Sequence, residues 1–171
     1  VSMDENEERT GYIGIVGKPN AGKSTLLNHL IGQKLCITSR KPQTSRHNIL
    51  GIKQVDNCQL IFIDTPGMHK DQVTKLNKIM NKSAKNTIID ADIVLFVLDR
   101  LDWDSRDEYV VKHLKKINRP IICVLNKVDL IKDKNLMLPH IEKLRNIFEN
   151  VTIVPISALK KRNLGTLEDE I

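Results

Sequence analysis

The feature that most constrains this chain is Gly17-Lys18-Pro19-Asn20-Ala21-Gly22-Lys23-Ser24. It is a GxxxxGK[ST] pattern set between an apolar run at 12–16 and a helical pattern at 23–31. Glycines let backbone N–H groups turn inward around an anion. The N-terminus of the following helix adds positive potential at the same point. Lys23 brings a point charge to the outer phosphates, and Ser24 offers a hydroxyl oxygen to magnesium. Thr25 continues the loop into the helix and counts among the nucleotide-binding candidates. For a chain this long an accidental match is roughly a one-in-a-hundred event. Alone, the pattern does not separate GTPases from ATPases or small-molecule kinases.

Apolar runs alternate with helical patterns along the rest of the chain. Strand candidates fall at 12–16, 49–55, 60–63, 93–98, 121–125 and 153–156, and helix candidates at 23–31, about 73–89, 106–117, 138–148 and from Leu164 onward. Continuous apolar strands between amphipathic helices predict an α/β fold: a six-stranded, mostly parallel sheet with helices on both faces. The link Asp56-Asn57-Cys58-Gln59 has hairpin length, so the second strand is expected to be an antiparallel edge strand. Pro139 is expected at the first position of its helix. A final helix of about two turns is too short to cover a sheet edge, so a domain at 11–171, truncated at its C-terminus, is expected.

Net charge is +6. The first nine residues hold Asp4, Glu5, Glu7 and Glu8 against Arg9, giving −3 there and +9 on the remainder. An acidic, disordered tail at 1–10 on a basic body is expected. The basic body fits a nucleic-acid partner or simply lysine-rich solvated helix faces. Cys36, Cys58 and Cys123 match no zinc spacing, and their odd number argues against a disulfide framework. Cys58 and Cys123 read as reduced thiols in or near the core of a cytosolic protein.

Two further elements carry chemistry. Asp64-Thr65-Pro66-Gly67 closes an apolar strand. Asp64 is suited to hold magnesium through water, and the Gly67 N–H can approach a gamma-phosphate and lose it after hydrolysis. Asn126-Lys127-Val128-Asp129 follows another apolar strand. Guanine presents N1–H and an exocyclic amine as adjacent donors, which the Asp129 carboxylate can accept together. Adenine lacks that pair, and polar recognition of this kind discriminates by about 10⁴–10⁵. The Lys127 stem can cover the base plane, and Asn126 can tie its loop to the phosphate loop. Ser157-Ala158 ends the last strand, where a backbone N–H can meet guanine O6.

These motifs, in this order, resemble a GTPase from Tyr12 onward. Ile37-Thr38-Ser39-Arg40-Lys41-Pro42-Gln43-Thr44-Ser45-Arg46-His47 lies where a first switch loop belongs. It closely resembles that of the Era family, bacterial GTPases of small-ribosomal-subunit assembly, as do 17–27, 64–69 and 154–158. The resemblance implies GTP or GDP as the nucleotide and Mg2+ on Ser24, Asp64 and a switch hydroxyl, either Thr44 or Ser45. It implies a catalytic set of Lys23, Asn20, Ser45 and Gly67. Asn20 either binds potassium, as in related enzymes of this group, or caps the loop. Met68 stands where many signalling GTPases place a water-orienting glutamine; methionine cannot orient water, so slow hydrolysis is expected. His69 reads as an exposed residue rather than a base.

Era relatives carry a C-terminal KH domain that reads the 3′ end of small-subunit rRNA. The implied partners are therefore the small ribosomal subunit and its 16S rRNA in the full-length protein. This domain alone is expected to bind RNA weakly and with strong salt dependence. A cytoplasmic location, with peripheral association at the inner membrane, is implied by the same resemblance. Two other readings remain: a tRNA-modifying or ribosome-assembly GTPase of the same group, and a GTP-dependent binding module with negligible hydrolysis.

Overall fold

The structure is a computed structural model in which residues 9–32, 49–64, 88 and 90–171 are described. The switch segment at 37–47, the candidates at 65–69 and nearly all of the helix at 73–89 lie outside those residues. Six strands form one sheet: β1 Arg9–Val16, β2 Ile49–Val55, β3 Cys58–Asp64, β4 Ile93–Asp99, β5 Ile121–Asn126 and β6 Thr152–Pro155. The described helices are α1 Lys23–Ile31, α2 Ser105–Leu114, α3 Met137–Ile147 and α4 Leu164–Glu170. Strand order is β2-β3-β1-β4-β5-β6; β2 runs antiparallel to β3 and every other pairing is parallel.

β4 shows why the sheet is covered on both sides. Val94, Phe96 and Leu98 pack with Val110 and Leu114 of α2 and Leu144 of α3. The alternating Leu95 and Val97 pack with Leu26 and Leu30 of α1 and Leu167 of α4. A strand buried on both faces has no polar side to show, hence its unbroken apolar run. Burying Phe96 contributes about 1.5–3 kcal/mol, and its ring meets Phe148 edge to face with centroids 6.3 Å apart.

Several boundaries differ from expectation. β1 starts at Arg9, inside the expected tail, where the Arg9 N–H donates to Asn57 O at 2.8 Å. The β2–β3 turn is two residues, Asp56-Asn57, with Val55 paired to Cys58; Asp56 adopts φ 49°, which a short polar side chain tolerates. α2 starts at Ser105 and ends at Leu114, three residues short of expectation, because Lys116 and Ile117 turn their N–H groups to His113 O and Leu114 O in tighter bonds. Pro139 is the third residue of α3, not the first. Its missing N–H still falls in the first turn, where no intrahelical partner exists.

The parallel strands β1, β3, β4, β5 and β6 all end on one edge of the sheet, and they bring Gly17, Asp64, Asp99, Asn126 and Ser157 there. The chain runs from β1 to β2 and β3 on one side of β1 and then from β3 to β4 on the other, and such a reversal opens a ligand crevice. At the outer edge, Ile156 N–H donates to Leu125 O at 2.8 Å, while Pro155 O accepts from Asn163 Nδ2 at 2.7 Å.

Candidate nucleotide-binding site

β1 delivers the phosphate loop between β3 and β4, and close packing dictates its glycines. A Cβ on Gly17 would lie 2.4 Å from Val97 O of β4. At Gly22, φ is 99° and a Cβ would lie 2.2 Å from Asn126 Nδ2. Asn20 is also left-handed, at φ 63°, a conformation asparagine adopts more readily than most residues. That gives Asn20 a backbone role independent of any ion. Lys23 opens α1 and donates to Gly17 O at 2.7 Å and Lys18 O at 2.8 Å, so its ammonium sits within the loop's own curve. Ser24 is exposed on the same turn.

Three side chains fix this loop to its surroundings. Asn126, buried at the end of β5, donates through Nδ2 to Ala21 O at 2.9 Å and accepts the Ala158 N–H on Oδ1 at 3.0 Å. Lys127 donates to Asn20 O at 2.6 Å and to Asp99 Oδ2 at 2.8 Å. Lys18, itself in the loop, sends its ammonium away from the phosphate side to Asp107 Oδ2 at 3.0 Å and Asp104 Oδ2 at 3.4 Å. The expected tie from Asn126 to the phosphate loop is therefore present, and the Lys127 stem passes over Gly22. Lys18 belongs to the expected nucleotide-binding set, but its side chain is directed at the start of α2, leaving its backbone N–H for an anion.

The electrostatics follow from these contacts. Burial pushes the Asp99 carboxyl up, but hydrogen bonds from Lys127 and Arg100 outweigh it and leave Asp99 below its ordinary value. Burial opposes the Lys18 ammonium; Asp107, with Asp104, more than offsets this and raises it. Asp129 is held below its ordinary value chiefly by a hydrogen bond from the Ser157 hydroxyl. The Ser157 oxygen in turn accepts the Lys160 N–H at 3.2 Å.

Asn126, Lys127, Asp129, Ser157 and Ala158 thus gather beside 17–24. Asp64 ends β3 in register with Ile15, two residues before Gly17. Thr44, Ser45, Thr65, Pro66, Gly67, Met68 and His69 lie outside the described residues. Because Asn126 Oδ1 takes the Ala158 N–H, a contact from that N–H to guanine O6 would have to share the donor. Sequence reasoning passed over Asp99, Asp104 and Asp107. Asp99 closes an apolar strand just as Asp64 does, and that signal was available. Asp104 and Asp107 form the capping box of α2, a D-x-x-D spacing visible in the sequence.

Comparison with known proteins agrees with this arrangement. The family described as "50S ribosome-binding GTPase" matches residues 12–127. GTPase Era of Marinobacter nauticus is 51% identical over 172 residues, covering 100% of this chain and 56% of that protein. GTPase Era of Azotobacter vinelandii is 52% identical, covering 96% of this chain and 55% of that protein. The chain therefore spans about half the length of the curated relatives it matches. A crystal structure of an Aquifex aeolicus Era variant bound to GDP and AlF4− aligns with TM-score 0.77 and 41% identity, covering 95% of this chain and 56% of that one.

Proposed function

Because the chain belongs to the 50S ribosome-binding GTPase family, we propose that it is a guanine-nucleotide switch domain that binds GTP and GDP and hydrolyses GTP slowly. The observation that carries this reading is Asn126. One carboxamide joins Ala21 of the phosphate loop to Ala158 after β6, so the base side and the phosphate side of the site are built as one unit. In this reading Lys23 and the N–H groups of 17–24 face the phosphates, Asp129 accepts from guanine, and the Lys127 stem lies against the base.

Magnesium would be held by the Ser24 hydroxyl and Asp64. Ser24 is exposed on the first turn of α1, and the register with Ile15 brings Asp64 beside the loop. Magnesium takes few protein oxygens and fills its other positions with phosphate and water, which suits so sparse a donor set. Thr44 or Ser45 would complete it from the switch segment, with Gly67 on the gamma-phosphate and potassium at Asn20.

The relatives named GTPase Era support a role in ribosome assembly. With the small subunit and 16S rRNA as partners, the basic surface would add a weak, salt-dependent contact. The family description names the 50S subunit instead, so co-sedimentation with separated subunits decides between them. A cytoplasmic site of action is part of the same reading. Peripheral association at the inner membrane belongs to it too; no helix among the described residues is long and apolar enough to cross a membrane.

Calorimetric titration with GTP, GDP and ATP tests the assignment; ATP binding as tightly as GTP overturns it. Multiple-turnover phosphate release with magnesium, in potassium and in sodium, tests hydrolysis. No release in either salt leaves a GTP-dependent binding module.

A further inference from the structure

Lys18 is the second residue of the phosphate loop, yet it is 5% exposed and its ammonium points into the protein. It meets Asp107 Oδ2 at 3.0 Å, Asp104 Oδ2 at 3.4 Å and Asp102 O at 3.5 Å. Asp107 is fully buried, and the same Oδ2 also accepts the Asp104 N–H at 2.9 Å. The N-terminus of α2 is thus the anchor for the ammonium. At its other end, the Lys18 carbonyl accepts from Lys23 Nζ at 2.8 Å. One residue therefore links a buried carboxylate to the lysine that would face phosphate.

Stability alone explains this pair poorly. Taking two charges out of water roughly cancels their attraction, and apolar residues of similar volume often do as well or better. Among the described residues, Asp107 Oδ1 is buried with no hydrogen-bond partner, a cost an apolar residue would avoid. A fixed charge pair gives something an apolar contact does not, which is one defined position along the loop.

We propose that Lys18 and Asp107 are positioning residues for the guanine nucleotide, pinning the phosphate loop to α2 so that the Lys18 carbonyl sets where the Lys23 ammonium stands. This inference rests on the nucleotide-binding reading above. It assigns the pair no contact with the ligand. Its effect falls mainly on the phosphates, because guanine is read by Asp129, whose carboxylate is held by Ser157 and not by Lys18 or Asp107.

The test compares GDP and guanosine binding in the unaltered chain, Lys18→Met, Lys18→Met/Asp107→Leu and Lys18→Arg. The double variant removes both charges and leaves none buried alone; it also takes the Asp107 half of the α2 capping box, so its thermal midpoint should fall by only about 2–4 °C. Its GDP affinity should fall at least tenfold while guanosine affinity stays within about twofold. Lys18→Arg keeps a cation against both carboxylates and should bind GDP several-fold more tightly than Lys18→Met alone. A double variant that folds and keeps its GDP-to-guanosine ratio overturns the inference while leaving the nucleotide-binding reading intact. If the unaltered chain binds neither ligand, both fall together.

Discussion

The Asn126 carboxamide occupies the space that a side chain on Gly22 would fill: a Cβ there would lie 2.2 Å from Asn126 Nδ2. The loop that touches phosphate and the loop that reads the base are packed so closely that only a hydrogen separates backbone from side chain. Gly22→Ala must push Asn126 off Ala21 O and also adopt φ 99° with a side chain, a strain of about 1–3 kcal/mol. GDP affinity should fall by about tenfold or more, read by fluorescence titration with a labelled nucleotide. Unchanged affinity would mean the two loops are not coupled.

Asn126→Ala tests the same joint from the other side. It strands the Ala21 carbonyl and the Ala158 N–H in a buried setting. Each unpaired group costs about 1–3 kcal/mol, so the thermal midpoint should drop by roughly 5 °C or more. Nucleotide binding should weaken in parallel. Scanning calorimetry with and without GDP separates the two losses.

Asp129 must be ionised to accept two donors from guanine, and the Ser157 hydroxyl holds its carboxyl below the ordinary value. The lowered value means the charged form persists as pH falls, so GDP affinity should hold into the acid range and decline only below the usual carboxylate range. Ser157→Ala removes the main cause of the shift and should move the acid limb of the affinity profile to higher pH. Asp129→Asn should weaken GTP and favour xanthosine triphosphate, as a competition titration at neutral pH would reveal.

Cys123 is fully buried in β5, and burial pushes its thiol up to about 12. The folded state therefore keeps a proton that the unfolded state releases at lower pH. Between the ordinary thiol value and about 12, the unfolded chain binds fewer protons, so stability falls as pH rises through that window. At pH 8 a thiol reagent should label half-buried Cys58 readily and reach Cys123 only on unfolding. Mass spectrometry of peptides labelled with and without denaturant checks this; rapid Cys123 labelling in the folded protein would contradict its placement.

What the sequence made legible depended on distance along the chain. The phosphate loop and β4 are each written in consecutive residues, so a motif and an apolar run sufficed. The start of β1 was harder. Arg9, Thr10 and Gly11 join the sheet through backbone pairing with Cys58, Gln59 and Leu60, and their side chains carry no apolar alternation to signal it. The polar ties were out of reach for a different reason. Lys18 meets Asp107 across 89 positions and Lys127 meets Asp99 across 28. No periodicity records such a partner, and only the folded sheet, by ending five strands on one edge, reveals it.

Pro155 bears on how this molecule behaves among its neighbours. In a parallel pairing, adjacent residues turn their N–H and C=O groups to opposite sides. With Ile156 N–H directed at β5, those of Pro155 face outward from the last strand. Proline has no N–H to offer, and Asn163 already occupies its carbonyl. At that point the sheet presents neither donor nor acceptor to a strand from another molecule. Pro155 is therefore a local block to edge-to-edge pairing, a hazard that open sheets otherwise meet with charge or a covering segment.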